Sequence, residues 1–289
     1  MNFYIVIPAH NEDDSIGRTL ESLAKQTLLP KQLVIVNDHS TDNTQAIVES
    51  YIEKHSWISI VNVQSSDKHL PGSKIINAFY KGLDTLDENY DIMCKFDADL
   101  IFPENYLETI SSHFKTKPTL GMVSGFCYIK KNEDWILEDL TNKDHIRGAL
   151  KAYRKQCFLD IGKLKPAMGW DTIDELLAKF NHWEILTDES LHVKHLKPTG
   201  ASYNEASKYM QGEAMYKMRY GFSITAISAL KLAMKKKNLS LFNDYMSGYF
   251  KAKNENIEPL VTPEQGEFIR KLRWKGMLKK FGFWLVVSG

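Results

Sequence analysis

The stretch Tyr90–Pro103, YDIMCKFDADLIFP, decides how the rest of the chain is read. Its apolar run Ile92–Phe96 has the length of a buried β-strand and is too short for a helix. It closes on two carboxylates one residue apart, Asp97 and Asp99. In an extended or gently turning backbone residues i and i+2 point the same way, so both carboxylates can address one point in space. Oxygen ligands of this kind suit Mg²⁺ or Mn²⁺, and such a cation is completed by water and the phosphates of a bound molecule. A diphosphate-bearing ligand is the natural partner. The plainer alternative is a solvated turn ahead of a helix opened by Pro103.

Working outward, three more apolar segments precede this one: Phe3–Ile7, Leu33–Val36 and Ile58–Val63. Each of the four is followed by a helical pattern, at about 14–25, 41–54, 73–86 and 104–114, with Ser, Thr or Asp near the starts. Strands alternating with helices imply an α/β, Rossmann-like, mainly parallel sheet with helices on both faces. Ligands of such sheets bind beyond the carboxyl ends of the strands, where strand order reverses. The four ends read Pro8-Ala9-His10-Asn11-Glu12, Asn37-Asp38-His39-Ser40, Gln64-Ser65-Ser66-Asp67 and Asp97-Ala98-Asp99, and all are polar. In PGSKIINAFYKG, Lys74 opens the third helix, where backbone N–H groups and an ammonium can both meet an anion; a solvated lysine is the alternative.

The 289 residues, 43% hydrophobic and 25% charged, allow one large domain or a domain with an appendage. No run approaches a membrane span, and Met1–His10 lacks the basic and apolar regions of a leader, so a cytoplasmic location is expected. Cys94, Cys127 and Cys157 lack metal-ligand spacing and read as reduced core residues. Residues 231–289 carry a net +7 and the first 230 residues −6, which marks a basic appendage on a mildly acidic body and argues against nucleic acid as the body's ligand.

In GWDTIDELLAKF, the acids Asp171, Asp174 and Glu175 fall near one face of a helix start. They are candidates for a general base, with helix capping as the competing role. Trp170 offers an apolar platform on which a ligand ring could stack, or simply packs.

Taken together, IPAHNEDDSIGRTLESLAKQT, LVIVNDHSTDNT, KFDADLIFPENYL, Gly169-Trp170-Asp171 and His195-Leu196-Lys197-Pro198-Thr199-Gly200 resemble, in order, the motifs of family 2 glycosyltransferases with the GT-A fold. The resemblance covers roughly the first 200 to 220 residues. It implies that Pro8, Ala9, His10 and Asn11 line a nucleotide pocket, that Glu12 holds the loop, and that Asp38 reads the base, with turn or cap chemistry as the alternative. A carboxylate accepting from a pyrimidine N3–H favours uracil, hence a UDP-sugar. It also places Lys74, Asp97, Ala98 and Trp170 around the nucleotide-sugar. Asp97, Asp99 and His195 become the metal ligands, Mn²⁺ or Mg²⁺, with the imidazole favouring manganese. Asp171 aligns with the family's base, and Asp174 is the second candidate. The departures are Asn37, where an acid is common, His39, where glycine is common, and Trp170, where an acid often precedes the base.

The expected organisation is a GT-A catalytic domain over 1–220, with a nucleotide-binding part to about 115 and an acceptor part from 116, followed by a helical basic region over 221–289. The expected activity is inverting transfer of a sugar to a glycan or lipid-linked acceptor. The rivals are a sugar nucleotidyltransferase, whose Gly-rich basic loop after the first strand is missing from IPAHNED, and a non-catalytic scaffold. Residues 268–287, FIRKLRWKGMLKKFGFWLVV, mix basic, aromatic and apolar side chains at helical spacing. They read either as a peripheral contact with the inner face of a membrane or as a helix packed on the catalytic domain.

Overall fold

The computed structural model describes residues 1–65, 72–138, 145–197 and 207–280. Ser66 and Asp67 of the third strand end, Pro198–Gly200 of the late motif and residues 281–287 of the C-terminal segment lie outside them.

The alternation read from the sequence is present: β1 (Phe3–Ala9), α1 (Ile16–Ala24), β2 (Gln32–Asp38), α2 (Thr44–Ile52), β3 (Ile58–Val63), α3 (Ser73–Leu83), β4 (Ile92–Phe96), β5 (Leu100–Ile101) and α4 (Tyr106–Thr116). Both faces of β1 are buried because its apolar run is unbroken. Ile5 and Ile7 join Ile16, Leu20 and Leu23 of α1 in the main core. Val6, pointing the other way, lies under α3, so close that a Cβ on Gly82 would come within 2.6 Å of it. Pro103 does not open α4; its carbonyl instead accepts from the Tyr106 N–H and from the Gln26 side chain, at 3.0 and 2.8 Å.

The chain continues as β6 (Leu120–Lys131), β7 (Asp134–Leu137), β8 (Leu150–Arg154), α5 (Lys155–Asp160), α6 (Trp170–Phe180) and β9 (Glu184–His195). Strand order is β3-β2-β1-β4-β8-β6-β9-β5, with β7 beside β6. The first four strands are parallel. β8 is antiparallel to β4 and β6, β9 is parallel to β6, and β5 is antiparallel to β9. Strand order reverses at β1 and β4, which puts the ends of both at the crevice where α/β sheets bind ligands. The β5–β9 register, Leu100 opposite His195, carries the end of β9 back to the turn after β4.

The start of α3 is docked on the loop before α6. Ser73 Oγ donates to the Pro166 carbonyl at 2.8 Å and Tyr80 OH to the Leu164 carbonyl at 2.5 Å. Gly72 makes the approach possible: its φ is +79°, and a Cβ there would sit 2.4 Å from the Ala167 oxygen.

The chain divides into two compact units, Met1–Ala201 and Ser202–Gly289. The second contains α7 (Ser207–Lys217), α8 (Gly221–Lys235), α9 (Ser240–Asn254) and α10 (Pro263–Lys280). α7, expected inside a domain ending at 220, belongs to this unit because it lies against α9. Cβ atoms on Gly212 and Gly248 would come within 1.8 Å of the Tyr245 oxygen and 2.0 Å of the Tyr209 oxygen. Residues 255–262 connect α9 to α10.

Of the segment 268–287, read as either a membrane contact or a packed helix, the described part to Lys280 lies in α10. Two of its cations are used inside the unit: Arg270 donates to the Arg219 carbonyl at 2.9 Å, and Arg273 donates to Tyr220 OH and lies over its ring. Ile269 is buried, Trp274 is exposed, and Lys271 pairs with Glu267, so α10 has no single apolar stripe. No helix among the described residues is long and apolar enough to cross a membrane.

A β-branched residue at Gly72 combines a disfavoured positive φ with a clash against backbone. Gly72→Val is expected to lower stability by roughly 2–4 kcal/mol, read as a shift in the urea midpoint at unchanged slope.

Candidate active site

The ends of β1 and β2 are tied to each other. His10 Nδ1 lies 2.6 Å from the Asp38 carbonyl, the Asn11 N–H donates to Ser40 Oγ, the Thr41 N–H to Asn11 Oδ1, and the Glu12 N–H to Thr44 Oγ1. Pro8 and Ala9 reach this point on the strand, with Ala9 opposite Asn37. The Glu12 carboxylate accepts from Ser15 Oγ and pairs with Lys197 at 2.6 Å, joining the first loop to the segment after β9. His39 adopts φ 54°, the left-handed conformation glycine commonly supplies, which accounts for that departure. Asn37 is buried and donates to Asn62, a structural role.

Asp38 does not cap α2, whose start is served by Asp42 instead. Its buried carboxylate accepts from the Ser65 N–H and hydroxyl at 2.9 and 2.7 Å and lies 3.7 Å from Lys74. Lys74, 35% exposed, is therefore a partly buried lysine paired with the carboxylate expected to read the base.

After β4 the two acids take different partners. Asp97 pairs with Lys95, a buried lysine whose ammonium also donates to the Gly148 carbonyl at 3.2 Å. Ala98 is buried and its carbonyl accepts from Thr19 at 2.7 Å, which fixes the turn. Asp99 Oδ2 lies 3.3 Å from His195 Nε2. On the other side of that ring, Nδ1 lies 3.0 Å from Glu138 Oε2, and Glu138 in turn meets Arg147 at 3.1 Å. Burial works against a charged imidazole here, but the hydrogen bonds to Asp99 and Glu138 outweigh it and raise His195 to about 9.

These residues fit a divalent cation. Neighbouring ligand atoms around an octahedral ion with bonds of ~2.1 Å lie about 3 Å apart, close to the Asp99–His195 separation. A carboxylate on the far nitrogen is the usual support of a metal-binding histidine. Cys127, Glu138 and His195 also offer ligand atoms within 4.8 Å of one another. Burial pushes the Cys127 thiol well up, and Glu138 is engaged by Arg147, so this trio orients His195 rather than forming a separate ligand set.

The acids at α6 do not share one environment. Asp171 keeps about a third of its side chain exposed, 3.8 Å from His145 Nε2, and despite burial the neighbouring His145 and Lys151 hold it below the usual carboxylate range. It stands in the first turn but does not cap the helix. Asp174 needs correction as a candidate base. It is buried, chelated by Lys151 at 2.7 and 2.8 Å and bonded by Tyr153, and burial pushes it up to about 6. Helix spacing put it near Asp171, but β8 fills the space in front of it with a lysine. Glu175 is also buried, between His145 Nδ1 at 3.0 Å and the Ile146 N–H at 2.7 Å. Trp170 needs the same correction. The residue is 6% exposed, and the Lys95 and Lys151 ammoniums, side by side on paired strands, lie 5.3 and 5.6 Å from its ring, so it packs against these cations and offers no open face to a sugar.

Gly148 joins the two halves. Its carbonyl accepts from Lys95, the partner of Asp97, and a Cβ on it would sit 3.3 Å from the Asp171 Cβ. Gly148 thus links the Asp97–Lys95 pair to Asp171, and the Asp99–His195 contact lies two residues further along the turn from Asp97. Sequence reading missed Lys95, Glu138, His145, Arg147 and Lys151. Lysines inside the apolar runs of β4 and β8 were the available signal, since a buried lysine requires a buried acid.

Burial opposes charge on His145, but Asp171 and Glu175 raise its pKa to about 9. With a folded pKa above the ordinary ~6.5, its stabilisation is fully present below pH ~6.5 and is lost as pH rises through about 9. His145→Gln should cost up to about 3 kcal/mol at pH 6 and much less at pH 9.5. Paired urea titrations of wild type and variant at both pH values check this.

Comparison with known proteins bears on this site. The family model for glycosyl transferase family 2 matches residues 4–162. The chain is 25% identical over 186 residues to poly-beta-1,6-N-acetyl-D-glucosamine synthase of Staphylococcus aureus, a match covering 58% of this chain and 41% of that protein. It spans less than half the length of the curated relatives it matches. Among solved structures, it shares a fold with S. aureus TarS 1-349 in complex with UDP-GlcNAc, at TM-score 0.57 and 19% identity, covering 97% of this chain and 80% of that one. The mannosyltransferase PcManGT from Pyrobaculum calidifontis, in complex with GDP-Man and Mn²⁺, aligns at TM-score 0.55 and 14% identity, covering 98% and 82%.

Proposed function

This chain belongs to glycosyl transferase family 2 and has the GT-A fold, and from that premise we propose that it is an inverting, metal-assisted glycosyltransferase. Its donor is a nucleotide-sugar, a UDP-sugar first, and its acceptor the hydroxyl of a glycan or a lipid-linked sugar. The observation that carries this reading is the convergence at Gly148 of the Asp97–Lys95 pair with Asp171, beside the Asp99–His195 contact. The UDP-GlcNAc of the TarS complex and the Mn²⁺ of the mannosyltransferase complex support the choice of donor and ion.

Asp99 and His195, with Asp97, would hold the cation. When bound, it neutralises negative charge on the departing diphosphate. The loops at Pro8–Glu12 and Asp38 bind and orient the nucleotide. Asp171, kept ionised by His145 and Lys151, accepts the proton of the acceptor hydroxyl as that oxygen bonds the anomeric carbon and the bond to the diphosphate breaks. Attack opposite the leaving group inverts the configuration. Asp97 is shared with Lys95, so one of the two motif acids is already partly neutralised.

Offering a panel of UDP-sugars with Mn²⁺ and following UDP release tests the donor. Turnover of at least one donor, abolished by chelator, is expected, and UDP release unaffected by chelator would overturn the metal assignment. Asp99→Asn should weaken Mn²⁺-dependent UDP binding at least about tenfold in calorimetry, with the thermal melt little changed. Asp171→Asn should lower kcat ~10²- to 10⁴-fold while UDP binding persists. Full activity in that variant would remove Asp171 from the role.

A further inference from the structure

The turn between α7 and α8, Arg219-Tyr220-Gly221, faces a stripe of α10 made of Gly266, Arg270 and Arg273, whose spacing i, i+4, i+7 puts them on one side of the helix. Each of the three meets the turn. A Cβ on Gly266 would come within 2.7 Å of the Arg219 side chain, so the bare glycine admits that arginine's stem. Arg270 donates to the Arg219 carbonyl at 2.9 Å, and its Cδ lies 3.7 Å from the place a Cβ would take on Gly221. Arg273 donates to Tyr220 OH, with its guanidinium carbon 5.1 Å from the centre of that ring. Arg219 itself turns Nε to the Val261 carbonyl at 2.9 Å, two residues ahead of α10. All three arginines are half-buried.

These contacts hold the guanidiniums in place without neutralising them. A guanidinium carries five N–H donors and a fixed charge, and every acceptor just named is a carbonyl or a hydroxyl. Among the described residues no carboxylate forms an ion pair with Arg219, Arg270 or Arg273. Glu267, whose charge reaches Arg270, is bonded to Lys271 at 2.8 Å, and residues 214–243 contain no Asp or Glu. Arg273 Nε is buried without a partner, a donor whose hydrogen bond is left unmade. The backbone adds to this: Tyr220 is right-handed helical and Gly221 left-handed at φ +74°, the pairing that turns successive N–H groups towards one anion, and the unbonded N–H groups of the first turn of α8 follow directly. An anion of more than one charge answers these features together, because guanidinium forks match phosphate oxygens. We propose that Arg219, Arg270 and Arg273, at the start of α8, form a binding site for a phosphate or diphosphate group, carried either by a soluble molecule or by a lipid headgroup. The site lies within the second unit, and the proposal stands independently of the donor and acceptor readings.

The test is calorimetric titration of the full chain with inorganic phosphate and with pyrophosphate, in chelator, so that metal-dependent diphosphate binding at the crevice does not contribute. Saturable binding with a Kd of ~1 mM or below is expected, pyrophosphate being the tighter. Arg270→Gln/Arg273→Gln should weaken it at least about tenfold, while Mn²⁺-dependent UDP binding is retained. Arg273→Lys, which keeps the charge and loses the fork, should weaken it roughly threefold or more. Lys275→Gln/Lys279→Gln, which removes exposed charge from the same helix, should leave it within about twofold. Thermal melts confirm that each variant is folded, and Arg273→Lys alone carries the comparison should the double arginine variant not fold. Co-sedimentation with vesicles of phosphatidylcholine, with and without phosphatidic acid, separates the two sources. Capture by phosphatidic acid that pyrophosphate reverses assigns the lipid headgroup, and calorimetric binding without capture assigns a soluble phosphate. Absence of saturable binding by the folded wild type overturns the proposal, as does unchanged binding in the arginine variants. Equal weakening in Lys275→Gln/Lys279→Gln would reduce the effect to general charge and likewise overturn it.

Discussion

The contact between Asp99 and His195 is the constraint on which the site depends. It exists because two residues of β5 pair antiparallel with the end of β9, setting Leu100 opposite His195. That register closes the second half of the sheet onto the turn after β4, and the Leu196 N–H donating to the Asp99 carbonyl at 2.9 Å secures it. A slip of one residue would turn His195 to the opposite face and leave Asp99 without its imidazole. Glu138 and Arg147 then fix the far side of the ring, so a histidine at a strand end becomes an oriented one.

Behind this contact, the first unit buries an uncommon amount of charge. Lys95 and Lys151 are both buried, lie side by side against the ring of Trp170, and each meets an acid, Asp97 and Asp174. Removing one partner from such a pair leaves an uncompensated charge, which makes the cluster costly to alter and rigid in place. Rigidity is useful here because Asp171 is exposed only in part and takes its direction from the helix that Asp174 and Glu175 anchor. Two of the three neighbouring acids thus serve the third: Asp174 clamps α6 to β8, and Glu175 holds His145 against Asp171.

The strands, their order of appearance and the acids at their ends were legible in the sequence, because unbroken apolar runs and polar ends follow from local rules. Three parts were not. The lysines at 95 and 151 sit within strands otherwise read as core, and only the fold shows which acids neutralise them. Spacing placed Asp174 on the same helix face as Asp171, but periodicity is blind to what β8 presents in front of that face. Trp170 read equally well as platform or packing, and the decision came from residues distant in sequence, Lys95, Gly148 and Lys151. The division into compact units at Ala201 reflects contacts of the same long-range kind. The close approach of α7 to α9 at Gly212 and Gly248 joins segments that no local pattern connects.

The most direct measurement is a crystal structure of the protein soaked with UDP and Mn²⁺, with anomalous scattering recorded at the manganese edge. The expected result is one strong anomalous peak between the Asp99 carboxylate and His195 Nε2, with the UDP diphosphate against it and the uracil at Asp38. UDP bound elsewhere, or bound in the crevice with the anomalous peak away from Asp99 and His195, would contradict the central claim that this contact organises the site.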